Sequence, residues 1–216
     1  AAVLRHAQAE VLSVGRSYSR RTVIGGAAAT AALAGAAPAL AQAQARTLTR
    51  IGFGSCARQD KDQPIWDRVN TWRPELFVFL GDNIYGDTED MAVMRAKYYQ
   101  LAAKPGFRTL RRQSEVVATW DDHDYGVNDG GSEYPMKAES ARLFLDFWGV
   151  PADHPRRTHP GIYGSYFYGP PGKRVQLILP DNRTFRSPLL GYSVEPADKG
   201  QYVVNPDPAA TMLGAQ

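Results

Sequence analysis

Leu76-Phe77-Val78-Phe79-Leu80 is an unbroken apolar run of strand length. Such a run marks a strand covered on both faces. Thr47 to Ser55 reads as a second buried strand, closing on Gly52, Gly54 and Ser55, and Val116 to Trp120 reads as a third. Between them the pattern turns helical. Pro64 to Trp72 predicts a short helix, with proline at its start and Pro74 just past its end. Asp90 stands where it can cap a helix from Met91 to about Ala103, and a shorter helix follows to Arg112. Pro135 and Gly149 bracket a helix from Met136 to Trp148. Tyr163 to Tyr168 and Arg174 to Leu179 read as two further strands, and Thr211 to Gln216 as the start of another helix. The order β-α-β-α-β-α-β-β predicts the α/β class, a mainly parallel sheet flanked by helices. Tyr98, Tyr99, Phe144, Phe147 and Trp148 fall at helical spacing and are expected in a core or interface. Arg108, Arg111 and Arg112 are expected on a solvated helix face.

Ligands of parallel α/β sheets bind beyond the carboxyl ends of strands. The first three strands each run into a polar cluster there: Gly54-Ser55-Cys56, then Gly81-Asp82-Asn83-Ile84-Tyr85, then Asp121-Asp122-His123-Asp124. Three such clusters on one edge favour a common site. In the third, Asp121, Asp122, Asp124 and Asp129 crowd His123. Carboxylates this close repel one another unless a metal, a basic side chain or water intervenes. Asn128 to Gly131 reads equally well as a plain turn or as the lining of a substrate or calcium pocket.

The donor set is mixed in softness. Carboxylates alone suit magnesium or calcium, whereas thiolate with phenolate suits ferric iron or zinc. Two metals sharing a bridging aspartate, best supplied by Asp82, would clamp both oxygens of a phosphoryl transfer. His123 among carboxylates would stay cationic, able to stabilise a transition state or protonate a leaving oxygen. Cys56 is the single cysteine, so no internal disulfide can form. It reads either as a small buried hydrophobe or as a thiolate ligand. His154 and His159 lie in a proline-rich loop, Pro151 to Pro160, and are expected to be surface or structural residues.

PheGlySerCys at 53–56, LeuGlyAspAsnIleTyr at 80–85 and TrpAspAspHisAsp at 120–124 resemble the PhoD-like alkaline phosphatases and phosphodiesterases, within the calcineurin-like metallophosphoesterase superfamily. The resemblance continues through Pro160 to Tyr163 and Asp181 to Ser187. It implies the N-terminal half of an αββα sandwich over residues 46–216. It further implies that Cys56, Asp82 and Tyr85 are ligands of Fe3+, with Asp82 bridging to a second metal, often Ca2+, held by Asp122. His123 becomes the catalytic residue beside the phosphate, and Asp121 and Asp124 become supports for His123 and the metals. The implied reaction is hydrolysis of a phosphate ester by a metal-bound hydroxide. The pattern also departs from the family. No β-sandwich-like domain precedes the first ligand strand, and Pro180 stands where a leucine is usual. Further histidine and aspartate ligands would come from a second half beyond Gln216. The alternative expectation is therefore a catalytically incomplete piece that binds only metal or a partner.

Charge adds one element. Residues 1–45 carry Arg5, Arg16, Arg20 and Arg21 against Glu10, which accounts for the whole formal charge of +3. The remaining 21 basic and 21 acidic residues balance, so no nucleic-acid surface is expected. The Arg20-Arg21 pair, the weakly apolar run Gly25 to Ala37 and the overlapping small-residue sites from Ala39 to Ala45 follow the order of a twin-arginine signal and leader. The run is too short for a stable membrane span. The expectation is export by the twin-arginine machinery to a periplasmic or secreted location.

Overall fold

The computed structural model describes residues 46–191 and 202–216. The apolar run Leu76–Leu80 is β2, the middle strand of a three-stranded parallel sheet, between β1 (Ile51–Gly54) and β3 (Glu115–Thr119). Phe53 pairs with Val78 and Val78 with Val117, so the three strands end level with one another. The twin-arginine segment lies outside the described residues.

The alternation within β2 sorts the sheet into two faces. Phe77 and Phe79, with Ala118, pack under the helices together with Trp66, Tyr98, Leu101, Phe107, Phe144 and Trp148. Leu76 and Val78, with Val117, face the other way onto Tyr168 and Leu179. Those two residues belong to an antiparallel hairpin of β4 (Gly164–Tyr168) and β5 (Val175–Leu179), a sheet of its own. The continuous apolar character of β2 is thus explained by helices on one side and a hairpin on the other.

Local signals place the helices. α1 (Ile65–Trp72) follows Pro64 and stops at Arg73, whose backbone is left-handed, just before Pro74. α2 (Met91–Ala102) is capped by the Asp90 carboxylate, which accepts from the N–H groups of Ala92 at 2.7 Å and Val93 at 3.4 Å. α3 (Pro105–Gln113) opens on proline at its first turn. A short α4 (Asp122–Tyr125) stands inside the acidic cluster, and α5 (Lys137–Phe147) closes the core. A 3-10 turn at Pro155–Arg157 is capped by the His154 ring, so that histidine is structural as expected. A small antiparallel pair, β6 (Leu190–Gly191) with β7 (Tyr202–Val203), was not foreseen.

Three expectations fail here. The first strand is not buried: every residue of β1 is at least partly open, and Phe53 is 60% exposed, because β1 lies at the edge of the sheet. Thr211 to Gln216 is not helical. The Thr211 hydroxyl accepts from the N–H groups of Leu213 and Gly214, which bends the chain. Gln216 then closes it on the loop just past β5, accepting from the Asp181 N–H at 2.8 Å and donating to its carbonyl at 2.9 Å. Arg111 is not on a solvated face. Its guanidinium lies 5.4 Å from the Trp148 ring, and burial lowers its pKa. No helix among the described residues is long and apolar enough to cross a membrane.

Candidate metal centre at the carboxyl edge of the sheet

The three polar clusters come together at the carboxyl ends of β1, β2 and β3. Backbone bonds join the first two loops: the Cys56 N–H donates to the Gly81 carbonyl at 3.2 Å, and the Ala57 N–H to that of Asp82 at 2.9 Å. Gln59, buried, accepts from the Tyr85 N–H at 2.9 Å and donates to the Tyr85 carbonyl at 3.4 Å. Gly81, at φ 109°, allows the second loop to touch the third. A Cβ there would come within 2.7 Å of the Asp121 backbone nitrogen.

Asp124 binds the second loop to the third. Its fully buried carboxylate accepts from the N–H groups of Asp82 (3.1 Å), Asn83 (3.2 Å) and Asp121 (2.7 Å), and from the Asn83 side chain at 2.5 Å. The Asp121–Asp124 pair forms a reciprocal capping box around α4. Burial raises the Asp124 pKa. Asp124 therefore acts on the loops rather than offering an oxygen to a ligand.

Asp82, Asp122 and His123 do offer such atoms: one from each lies within 4.8 Å of the others. One Asp82 oxygen, Oδ1, is buried with no hydrogen-bond partner. A buried, unpaired carboxylate oxygen is costly and calls for a cation. Burial, with the Asp122 charge next, raises the Asp82 pKa. The Cys56 thiol lies 3.7 Å from Asp82 Oδ2, and the Tyr85 hydroxyl interacts with both. The expected ligands Cys56, Asp82 and Tyr85 are thus contiguous, with Asp122 beside them. Burial, then Cys56 and Asp82, raise the pKa of the Tyr85 phenol.

A basic side chain answers part of the electrostatic question. Arg183 pairs with Asp121 Oδ1 at 2.5 Å and stands 3.6 Å from Asp122 Oδ1. Burial would raise the Asp122 pKa, but the Asp129 N–H at 2.7 Å and Arg183 hold it low. The turn at Asn128 to Gly131 thereby serves the site through its backbone. Arg186 holds that turn through the Asp129 and Gly130 carbonyls, and the Tyr202 hydroxyl donates to the Asp129 carboxylate at 2.5 Å.

One functional residue escaped the sequence reading. Asp87 Oδ1 lies 2.7 Å from His123 Nδ1. Burial opposes charge on the ring, yet Asp87, Asp122 and Asp82 raise its pKa above 6.5. The available signal was Gly86-Asp87 closing the second loop, with Gly86 bonded to the His123 carbonyl at 2.8 Å. Cys56, Asp82, Asp87 and Asp129 all hold left-handed backbone, at φ 57°, 51°, 45° and 58°. Strain of this kind gathers where surrounding structure imposes a geometry.

No family model matches the sequence, and no curated protein matches it. Among solved structures, one titled "Structure of PhoD" is similar at a TM-score of 0.56 and 15% identity, covering 68% of this chain and 34% of that one. The chain spans about a third of that structure's length, and at this identity the likeness shows the fold. The α/β architecture expected from the sequence, a parallel sheet with helices packed on it, matches part of the PhoD-like fold.

Proposed function

We propose that this chain carries a metal-dependent phosphoester hydrolase site, of phosphatase or phosphodiesterase type, at the carboxyl edge of its parallel sheet. The observation that carries the proposal is the trio Asp82, Asp122 and His123, with a buried oxygen of Asp82 lacking any partner. In this reading Cys56, Asp82 and Tyr85 would hold Fe3+, and Asp122 together with Asp82 would hold a second cation such as Ca2+. The phenol of Tyr85 favours the ferric choice at the first position, since a weaker Lewis acid would leave it protonated. Bound metal would supply positive charge against the phosphoryl oxygens and acidify a water.

The protein's own groups do the rest. The pairing with Asp87 fixes the orientation of the His123 ring and engages Nδ1. With Nδ1 engaged by Asp87, Nε2 is the nitrogen left to protonate a leaving ester oxygen or to stabilise phosphoryl charge. Arg183 and the Asp129 N–H limit repulsion between Asp121 and Asp122. Asp124 sets the register of the loops. The twin-arginine motif supports delivery of a folded, metal-loaded protein to the periplasm or outside the cell.

The test is metal titration of the purified chain by calorimetry and absorption, followed by assays on an aryl phosphate monoester and a diester. Ferric loading should give a visible tyrosinate band that Tyr85→Phe abolishes, and Asp82→Asn should lower metal affinity at least about tenfold. Absence of metal binding would overturn the proposal. Metal binding without turnover would leave the incomplete, metal-binding reading in its place.

A further inference from the structure

We infer that Arg58 is the anion-docking residue of this site, a cation at its rim that receives the phosphate group of the substrate. The inference rests on the phosphoester reading above. Arg58 lies two residues past Cys56, and its guanidinium carbon sits 4.6 Å from the centre of the Tyr85 ring. The same ring lies against His123 at a tilt of 34°, with centroids 4.3 Å apart. The guanidinium and the imidazole are therefore separated by no more than those two distances together.

Two consecutive residues contact Tyr85, and the next one fixes the first of them. Gln59 fixes the Tyr85 backbone at both the N–H and the carbonyl. Arg58 lies over the Tyr85 ring. Asp60 holds Arg58 in place through a two-point fork, Nε to Oδ1 at 3.0 Å and Nη2 to Oδ2 at 3.1 Å. A fork of this kind fixes the plane of a guanidinium, and the aromatic face adds a cation–π contact. Nη1 takes no part in the fork, and about half of the side chain is open to solvent.

The charge pattern gives this position its meaning. Asp87, Asp121 and Asp129 stand around the trio, whose Asp82 and Asp122 are themselves acidic, so away from the metals an incoming phosphate would meet carboxylates. Arg183 cannot draw it in, because that side chain is buried against Asp121 and Asp122. Lys97 is spent on the Gly86 carbonyl at 2.7 Å. Arg58 is also paired, with Asp60, but it is exposed, its Nη1 stays outside the fork, and it lies next to the residues expected to hold metal. Arginine on a fixed plane suits the tetrahedral oxygens of phosphate better than a mobile ammonium does.

The test uses the full chain loaded with Fe3+ and Ca2+, and inorganic phosphate as the probe. Calorimetry measures phosphate affinity for the wild type, Arg58→Ala and Arg58→Lys, and metal affinity is titrated separately for each. Arg58→Ala should weaken phosphate binding about tenfold, the scale of one lost charge-assisted contact. Arg58→Lys should recover part of that loss at low salt, and metal affinity should stay within about twofold for all three. Phosphate affinity unchanged in Arg58→Ala, with wild-type binding intact, overturns the role of Arg58 alone. Parallel loss of metal binding in that variant also overturns it, by making Arg58 a support for Tyr85. A wild type that binds metal but no phosphate refutes the phosphoester reading, and the role of Arg58 falls with it.

Discussion

Phe79 and Asp82 stand three residues apart, one on β2 and one on the loop after it, and their surroundings differ in kind. Phe79 is buried among rings, 4.9 Å from Phe77 and 4.9 Å from Trp148 between centroids. It has an ordinary strand backbone and apolar neighbours on the helix side. Asp82 has left-handed backbone, a carboxylate oxygen with no partner and a second acidic side chain close by. The contrast teaches how the molecule divides its work. The aromatic core supplies stability, and the carboxyl edge uses some of it to hold acidic groups where they repel.

The largest expected effect comes from weakening the core. Phe79→Ala should destabilise the protein by about 3–5 kcal/mol, the range for truncating a buried aromatic. Chemical denaturation would measure it, and metal binding should disappear together with the fold. Relieving the edge should act in the opposite direction. Asp82→Gly removes both the left-handed strain and the unpaired carboxylate, so the metal-free protein should gain about 1–2 kcal/mol while metal affinity is lost. A metal-free Asp82→Gly protein no more stable than wild type would break the contrast.

The smallest effect concerns His123 and Asp87. The native state binds the His123 proton more tightly than the unfolded chain does, because its pKa is raised. The stabilisation is therefore complete below the unfolded value of 6.5 and is lost as pH rises through the raised native value. In metal-free protein, Asp87→Asn should flatten that dependence, measured as the difference in denaturation midpoint between pH 6 and pH 9. A wild type with no such slope would show that the pair contributes nothing to folding.

Much of this architecture was legible in the residue pattern. The run at Leu76 to Leu80 announced a strand covered on both faces, and proline and aspartate marked the helix starts at Pro64 and Asp90. Cys56, Asp82, Tyr85, Asp122 and His123 could be grouped because each follows a strand of a parallel sheet, where such ends meet. Features that depend on chain reversal or distant pairing were not legible. Asp87 reaches His123 only because the loop turns back at Gly86. Arg111 carries charge like its neighbours, and only the placement of Trp148 draws it inward. The Thr211 segment has helical composition, but its bonds to Ser187 and Asp181 lie elsewhere. Asp124 was within reach, since an acidic residue three positions after Asp121 is the spacing of a capping box.

Arg183 carries a consequence for the order in which the molecule is made. Its partner Asp121 lies 62 residues earlier, and Asp181 closes on Trp120 across 61 residues. The helix side of the core draws on residues before Val150 for nearly all its contacts, so it can collapse first as the chain emerges. The acidic loops then wait, hydrated and mutually repelling, until a cation made much later arrives to settle them. Contacts of such long sequence separation are slow to form. The Arg183 contacts therefore close after the loops have been joined by Asp124, and a cation present during synthesis could take the place at Asp122 before Arg183 does.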